Sequence, residues 1–389
     1  MALCTIFERN QKLGIMKNIL GVAITFITIC TASFAQLKGG EISIGTNYTM
    51  KSEILDKDRE IQIYLPNSYN TSSKEYPVLY ILDGQWFFSN GVSIQKSLRT
   101  PGAIPEMIVV GIRNIRSLRR GLFGDNEKFT SFLKEEVIQF VDTNFRTTKE
   151  RVIFGWEAAA YYISEMILRE KELFSGAIIT DGGYASEKTV ENFNSNSEVY
   201  LYMANSRKDI YYISSSDRFN DILKKIKPKK LRWKYELFND EVHETMPHLA
   251  LYKGIRYYYH NYDSLVFESI EAYVDAGGIP YLESFFKERA RRFGGDAKID
   301  DSTKNSLIWL AWNRDNYKYF SFFMEEFKEV LSTKRYASAY WQHRFGQFYL
   351  KNNDYKNAIK HFKAGLSKYP NTKFEQGMKR GLKTAQKIE

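Results

Sequence analysis

The spacing of apolar residues switches between two periods, and the switch divides the chain. Over 59–65, Ile61, Ile63 and Leu65 alternate with other residues before Pro66, the pattern of a strand, and 41–51 is a candidate strand ahead of it. After a polar turn at 67–75 comes Tyr76-Pro77-Val78-Leu79-Tyr80-Ile81-Leu82-Asp83-Gly84. Further apolar runs lie at 107–112, 151–155, 176–180 and 199–203, with another strand candidate at 232–238. Unbroken apolar runs are what strands covered on both faces require, as in a parallel sheet. Helical spacing separates several of them: 126–144 places Phe129, Phe132, Leu133, Val137, Phe140 and Val141 at helical intervals, and a second helix is expected over 158–171. The arginine-rich stretch 113–120 reads as an exposed, solvated loop, with contact to an anionic ligand as the alternative. Strands alternating with helices predict a doubly wound, mostly parallel α/β sheet.

Near Tyr262 the character changes, and from there to Glu389 the patterning is helical throughout, punctuated by Gly277-Gly278-Ile279-Pro280 and Gly294-Gly295. Gly346, Tyr349, Tyr355, Ala358, Phe362, Leu366 and Pro370 stand at the spacings of a tetratricopeptide helix pair, and Leu307, Ala311, Tyr317, Phe320 and Phe327 suggest an earlier, looser copy. One pair cannot bury its apolar face alone, so it is expected to stack on its neighbour and on the sheet domain. Such a surface is where a protein partner would bind.

From Met16 the chain reads Lys17, Asn18, an apolar run from Ile19 to Cys30, then Thr31-Ala32-Ser33-Phe34-Ala35-Gln36. A charged start, a short apolar core and small residues before Gln36 describe a secretory signal peptide cleaved after Ala35. A membrane span needs about twenty apolar residues, and this run is shorter. Four segments follow: an upstream extension over 1–15, a signal peptide over 16–35, an α/β domain over 36–262 and a helical domain over 263–389. The expected location is periplasmic or extracellular, with no membrane span in the mature chain.

Composition narrows the chemistry. Of 389 residues 43% are apolar, enough for a large globular core, and the two cysteines, Cys4 and Cys30, both fall before the cleavage point. A mature chain without cysteine has no disulfide, thiolate nucleophile or cysteine metal site. The formal charge of +10 is spread widely in this reading, and its densest run, Lys224 to Lys230, lacks interleaved aromatics. That run is read as a solvated connection, so no nucleic-acid partner is expected. No histidine pair has metal-ligand spacing, and neither metal nor cofactor is expected.

The distinctive constellation is Gly155-Trp156-Glu157-Ala158-Ala159 between a buried strand and a helix. In α/β-hydrolases a strand ends in a Gly-x-Ser-x-Gly turn that lifts the nucleophile above the sheet, and small residues permit the close backbone approach. Here the setting is present and the serine is not.

Over 40–262 the chain resembles the esterase family of α/β-hydrolases that contains siderophore esterases, feruloyl esterases and S-formylglutathione hydrolase. The resemblance rests on Tyr76 to Gly84, on Ile108-Val109-Val110-Gly111-Ile112, on Glu136 to Arg146 with its Asn-Phe-Arg step, and on Glu241-Val242-His243. It implies the nucleophile position at Glu157, the catalytic histidine at His243 and the acid at Asp209. It also implies oxyanion donors in the backbone amides of Gln85 and Ala158. His248 and His260 match no family position, and His343 and His361 are expected on the surface of the repeat helices. Two departures accompany the missing serine. Asp181-Gly182-Gly183-Tyr184 replaces a Ser-Pro-type loop, and Arg119-Arg120 replaces an Arg-Asp pair.

A serine becomes nucleophilic by passing its proton to histidine, and a carboxylate has none to give at neutral pH. Loss of one triad member costs about three to six powers of ten in rate. The expectation is a degenerate esterase that keeps the fold and a cleft for a small-molecule ligand, acting in binding or scaffolding. The alternative is an active hydrolase working through Glu157 and His243, either by carboxylate attack at a saturated carbon or by activating water.

Overall fold

The computed structural model describes residues 40–100, 102–211 and 215–389. The expected extension and signal peptide, and both cysteines, lie outside the described residues. Eight strands form one sheet in the order β1-β2-β4-β3-β5-β6-β7-β8. They are β1 (Thr46–Ser52), β2 (Lys57–Tyr64), β3 (Tyr76–Leu82), β4 (Ile108–Ile112), β5 (Thr147–Trp156), β6 (Gly176–Thr180), β7 (Val199–Ser206) and β8 (Leu231–Phe238). The β1–β2 and β2–β4 pairs are antiparallel and the other pairs parallel.

The unbroken apolar runs are explained by cover on both faces. In β3, Val78, Tyr80 and Leu82 enter one core with Phe129, Phe132 and Ile163, while Leu79 and Ile81 enter a second with Phe87, Phe88 and Leu251. Successive side chains of a strand point to opposite faces, so every position must be apolar when both are covered. Helices α1 (Gly84–Arg99) and α5 (Met246–Tyr258) cover one face; α2 (Arg119–Gly124), α3 (Ala158–Arg169) and α4 (Ser215–Ile226) lie over the other with the helical run 126–144. That run contains a π-helical turn, Phe132–Ile138, whose Glu136 accepts bonds from the backbone amides of Glu53 and Ile54.

Several expectations are corrected. β1 begins at Thr46, not at residue 41, and α1, which the pattern did not reveal, follows β3 directly. The arginine-rich stretch is not a solvated loop throughout, because α2 begins at Arg119 and this residue is buried.

Beyond Tyr262 come α6 (Ile270–Asp275), α7 (Gly278–Phe293), α8 (Asp301–Asn313), α9 (Tyr317–Glu326), α10 (Ala339–Lys351), α11 (Tyr355–Lys368) and α12 (Glu375–Ile388). They enclose a third core of their own around Leu307, Phe320, Phe345, Tyr349 and Phe362. The contact with the sheet domain runs through α7. The Arg292 guanidinium lies 4.0 Å from the Tyr200 ring and donates to the Tyr258 carbonyl at 3.0 Å, and Phe293 packs on Tyr259. Tyr200 is the second residue of β7 and Tyr258 ends α5, so the helical region docks at the strands' N-terminal ends.

His361 is not a surface residue. It is buried with Nδ1 2.9 Å from Gln342 Oε1, and burial, aided by the Lys360 charge, lowers its pKa to about 4. His343 is half-buried, and burial lowers its pKa too.

Candidate functional site

At the opposite end of the sheet, Glu157 follows the last residue of β5 and caps the next helix. Glu157 has φ 52° and ψ −119°, a conformation that costs a non-glycine residue about 1–3 kcal/mol, and α3 begins at the next residue. The bend is held by the Glu157 amide donating to the Thr180 carbonyl at 3.1 Å and by the Glu157 carbonyl accepting from the Tyr161 amide at 3.1 Å. Gly155 is required because a Cβ there would meet Ile163 Cδ1 at 2.5 Å and the Ala159 backbone at 3.0 Å. Helix and strand approach too closely for any side chain.

The carboxylate of Glu157 is engaged on both oxygens. Oε1 lies 2.9 Å from His243 Nε2, and Oε2 accepts from Arg119 Nη1 at 2.7 Å. His243 comes from the loop between β8 and α5. Its Nδ1 is hydrogen-bonded to Asp209 Oδ2 at 3.1 Å, and Asp181 Oδ2 lies 2.7 Å from the same nitrogen as an ion pair. An imidazole with acceptors at both nitrogens is satisfied only when both are protonated. Burial works against that charge. The hydrogen bond to Asp209, the charges of Asp181 and Asp209 and the bond to Glu157 outweigh it, and the His243 pKa is raised above 6.5. Asp181 shows the converse. Burial, with repulsion from Asp209 and Glu157, lifts it to about 7 despite the pull of His243.

Arg119 anchors the other side. It grips the fully buried Asp83 with Nε and Nη2 at 3.0 and 2.7 Å, and Nη2 also donates to the Trp156 carbonyl at 3.1 Å. Asn114 Nδ2 completes the Asp83 shell at 3.0 Å, yet burial still leaves the Asp83 pKa raised. The guanidinium is flanked by the Trp86 and Trp156 rings, and the His243 ring lies 4.8 Å from Trp156 and 4.9 Å from Tyr211. The result is a line of alternating charge, Asp83, Arg119, Glu157, His243, then Asp209 and Asp181.

Of the residues expected from sequence, Glu157, His243 and Asp209 are brought together. Ala158 opens α3, and Gln85 is the second residue of α1 with its side-chain Oε1 accepting from the Asn114 amide at 2.9 Å. First-turn amides have no acceptor within their own helix. Arg119 and Asp181 were missed as partners. Both stood among the departures from the family pattern, and a carboxylate at a half-buried bend needs a cation, but neither fact identifies which arginine supplies it. His248 is exposed against Phe87, and His260 lies beside Tyr200 and Tyr257.

Glu157, Asp181 and His243 offer ligand atoms within 4.8 Å of one another, a cluster that sequence spacing did not reveal. The imidazole nitrogens there are already committed to carboxylates, so a cation would have to displace those bonds. Among the described residues no helix is long and apolar enough to cross a membrane.

Residues 52–180 match the family model described as "Putative esterase". An uncharacterized protein, YbbA, of Bacillus subtilis (strain 168) is 24% identical over 154 residues, which cover 35% of this chain and 62% of that protein, less than two thirds of its length. The crystal structure of an IroE-like serine hydrolase from Shewanella oneidensis aligns with TM-score 0.54 and 22% identity over 72% of this chain and 98% of its own. An uncharacterised protein from Capnocytophaga ochracea DSM 7271 aligns with TM-score 0.60 and 16% identity over 88% of this chain and 99% of its own, a share that extends well into the helical region. The fold is that of the α/β-hydrolases.

Proposed function

We propose that this protein, whose residues 52–180 match the "Putative esterase" family model, is a catalytically degenerate esterase that serves as a binding or scaffolding protein. One observation carries the reading: the group at the bend is a carboxylate held by His243 on one oxygen and Arg119 on the other. In a serine enzyme the histidine must be neutral to accept the nucleophile's proton. Here both ring nitrogens face carboxylates, which favours the protonated ring, and the bend offers a carboxylate where a hydroxyl is needed. Attack by Glu157 on an ester would give an anhydride and expel an alkoxide, a much poorer leaving group than the carboxylate itself. The amides of Ala158 and Gln85 would remain as donors to a ligand oxygen, beside the Trp86, Trp156 and Tyr211 rings that contact Arg119 and His243.

The pattern over 16–35 supports export to the periplasm or beyond, and the helical region, with tetratricopeptide-like spacing, is the docking element. The test is turnover of a panel of aryl esters by the purified mature protein. No rate above the uncatalysed one is expected, and robust hydrolysis would overturn the proposal.

A second reading has one observation in its favour: the Glu157 side chain keeps 34% exposure beside a histidine–aspartate pair. A carboxylate so placed can displace a leaving group at a saturated carbon. A covalent adduct on Glu157, found by mass spectrometry after incubation with alkyl halides or epoxides, would establish it; unmodified Glu157 across that panel excludes it.

A further inference from the structure

Counted along the chain, the charge is concentrated rather than spread. Residues 334–389 hold 13 Lys and Arg against 3 Asp and Glu, a surplus equal to the +10 of the whole protein, so the rest of the chain is balanced. These residues include α10, α11 and α12, three helices packed on one another. Phe362 of α11 meets Gly346 of α10 and Gly381 of α12, and Gly365 meets Gln342 and Met378, which makes neighbouring helices antiparallel.

Each of the last two helices turns its cations outward. In α11 the buried stripe is Ala358, His361, Phe362 and Gly365, and Lys356, Lys360 and Lys363 lie on the opposite side, all exposed. In α12 the buried stripe is Met378, Gly381 and Ala385, and Lys379, Arg380, Lys383 and Lys387 lie opposite, again exposed. The 3.6-residue period makes these spacings fall on one face. Glu375 pairs with Lys379 and Asp354 feels the charge of Lys356, but among the described residues Lys360, Lys363, Arg380, Lys383 and Lys387 form no ion pair. So many unneutralised like charges on one end of a molecule repel each other and are stabilised by a polyanion.

The kind of polyanion follows from what the face lacks. Ten of the 13 cations are lysines, hydrated point charges rather than the planar forks that recognise bases and phosphates in a fixed geometry. The outward stripes carry no Trp, Tyr or Phe, so they offer neither a stacking platform for bases nor the aromatic anchors of a protein hot spot. The one exposed apolar residue of α12 is Ile388, which leaves no apolar face to insert. A diffuse, mobile field of negative charge suits such a surface best. We propose that the end of the molecule formed by α11 and α12 docks on the surface of an anionic lipid bilayer, held by charge alone. This stands independently of the chemistry at Glu157.

The test is cosedimentation of the mature protein with phosphatidylglycerol/phosphatidylcholine vesicles and with phosphatidylcholine vesicles. The exposed lysines 356, 360, 363, 383 and 387 are replaced together by glutamine, and a control variant replaces the exposed Lys51, Lys57, Lys74, Lys149 and Lys229 instead. Circular dichroism checks that both fold. The expected result is salt-sensitive binding to the anionic vesicles alone, weakened on the order of a hundredfold or more in the tail variant and retained in the control. No binding to anionic vesicles at low salt, equal binding to neutral ones, equal losses in the two variants, or tighter binding to duplex DNA at the same ionic strength would each overturn the proposal.

Discussion

Arg119 Nη1 and Glu157 Oε2 lie 2.7 Å apart, and the same guanidinium grips Asp83, so one arginine holds the carboxylate at the end of β5 and the buried carboxylate at the start of α1. The pair links two departures from the serine-esterase pattern. A negative charge placed at the bend acquired a cation, and that cation is anchored from behind by a group with no access to water. Charge at Glu157 is therefore built into the packing of the site.

Arg119→Leu should be strongly destabilising. It strands Asp83 as a buried, unpaired carboxylate, and breaking a buried pair from one side costs about 3–5 kcal/mol. Adding Asp83→Asn should restore part of the loss because no buried charge is then left alone. Denaturant unfolding of the single and double variants measures both, and a loss below about 1 kcal/mol for Arg119→Leu would contradict the role assigned to it.

The imidazole of His243 should titrate above 6.5, and Glu157→Gln should bring it down by removing one carboxylate that holds its proton. NMR of the His243 ring against pH measures this directly. A midpoint unmoved by the substitution would mean that Glu157 does not hold the imidazolium.

Asp181 makes a contribution to stability that weakens toward high pH. Its folded pKa of about 7 stands above its ordinary 3.8, so the folded state binds the proton more tightly. The stabilisation is complete below about 4 and is lost as pH rises toward 7. His243, also raised, adds a loss of the same sign from about 6.5 upward. The difference in unfolding free energy between the wild type and Asp181→Asn should therefore shrink or change sign as pH rises from about 4 to 8, and a flat difference would contradict the assignment.

His361 has the opposite sign. Its folded pKa of about 4 lies below the ordinary 6.5, so its contribution is present above 6.5 and lost as pH falls toward 4. The wild type should lose about 3 kcal/mol over that window relative to His361→Gln. Chemical denaturation at several pH values, followed by tryptophan fluorescence, reads the difference.

The parts of the fold legible in the sequence are those in which local pattern and burial agree. The runs at Tyr76 to Leu82 and Ile108 to Ile112 can only be strands covered on both sides, and Gly155 with three alanines marks a close strand-to-helix turn. Helix α1 was hidden because it follows β3 without a break and mixes Ser89, Asn90 and Gly91 among its apolar positions. Arg119 and Asp181 were hidden for another reason: their partners are 38 and 62 residues distant, and no periodicity encodes which charge a fold will bring to another. His361 was misplaced on residue type: it stands three residues after Ala358 and four before Gly365, on the buried stripe, where a histidine is less expected than an apolar residue.

The most direct measurement of the central claim is aryl ester hydrolysis by the wild type beside Glu157→Ser. The substitution restores a hydroxyl at the bend and frees His243 to be neutral. No turnover is predicted for the wild type, with a measurable, pH-dependent rate appearing in the variant. Hydrolysis by the wild type that disappears on Glu157→Ser would contradict the claim, because the carboxylate would then be the working group.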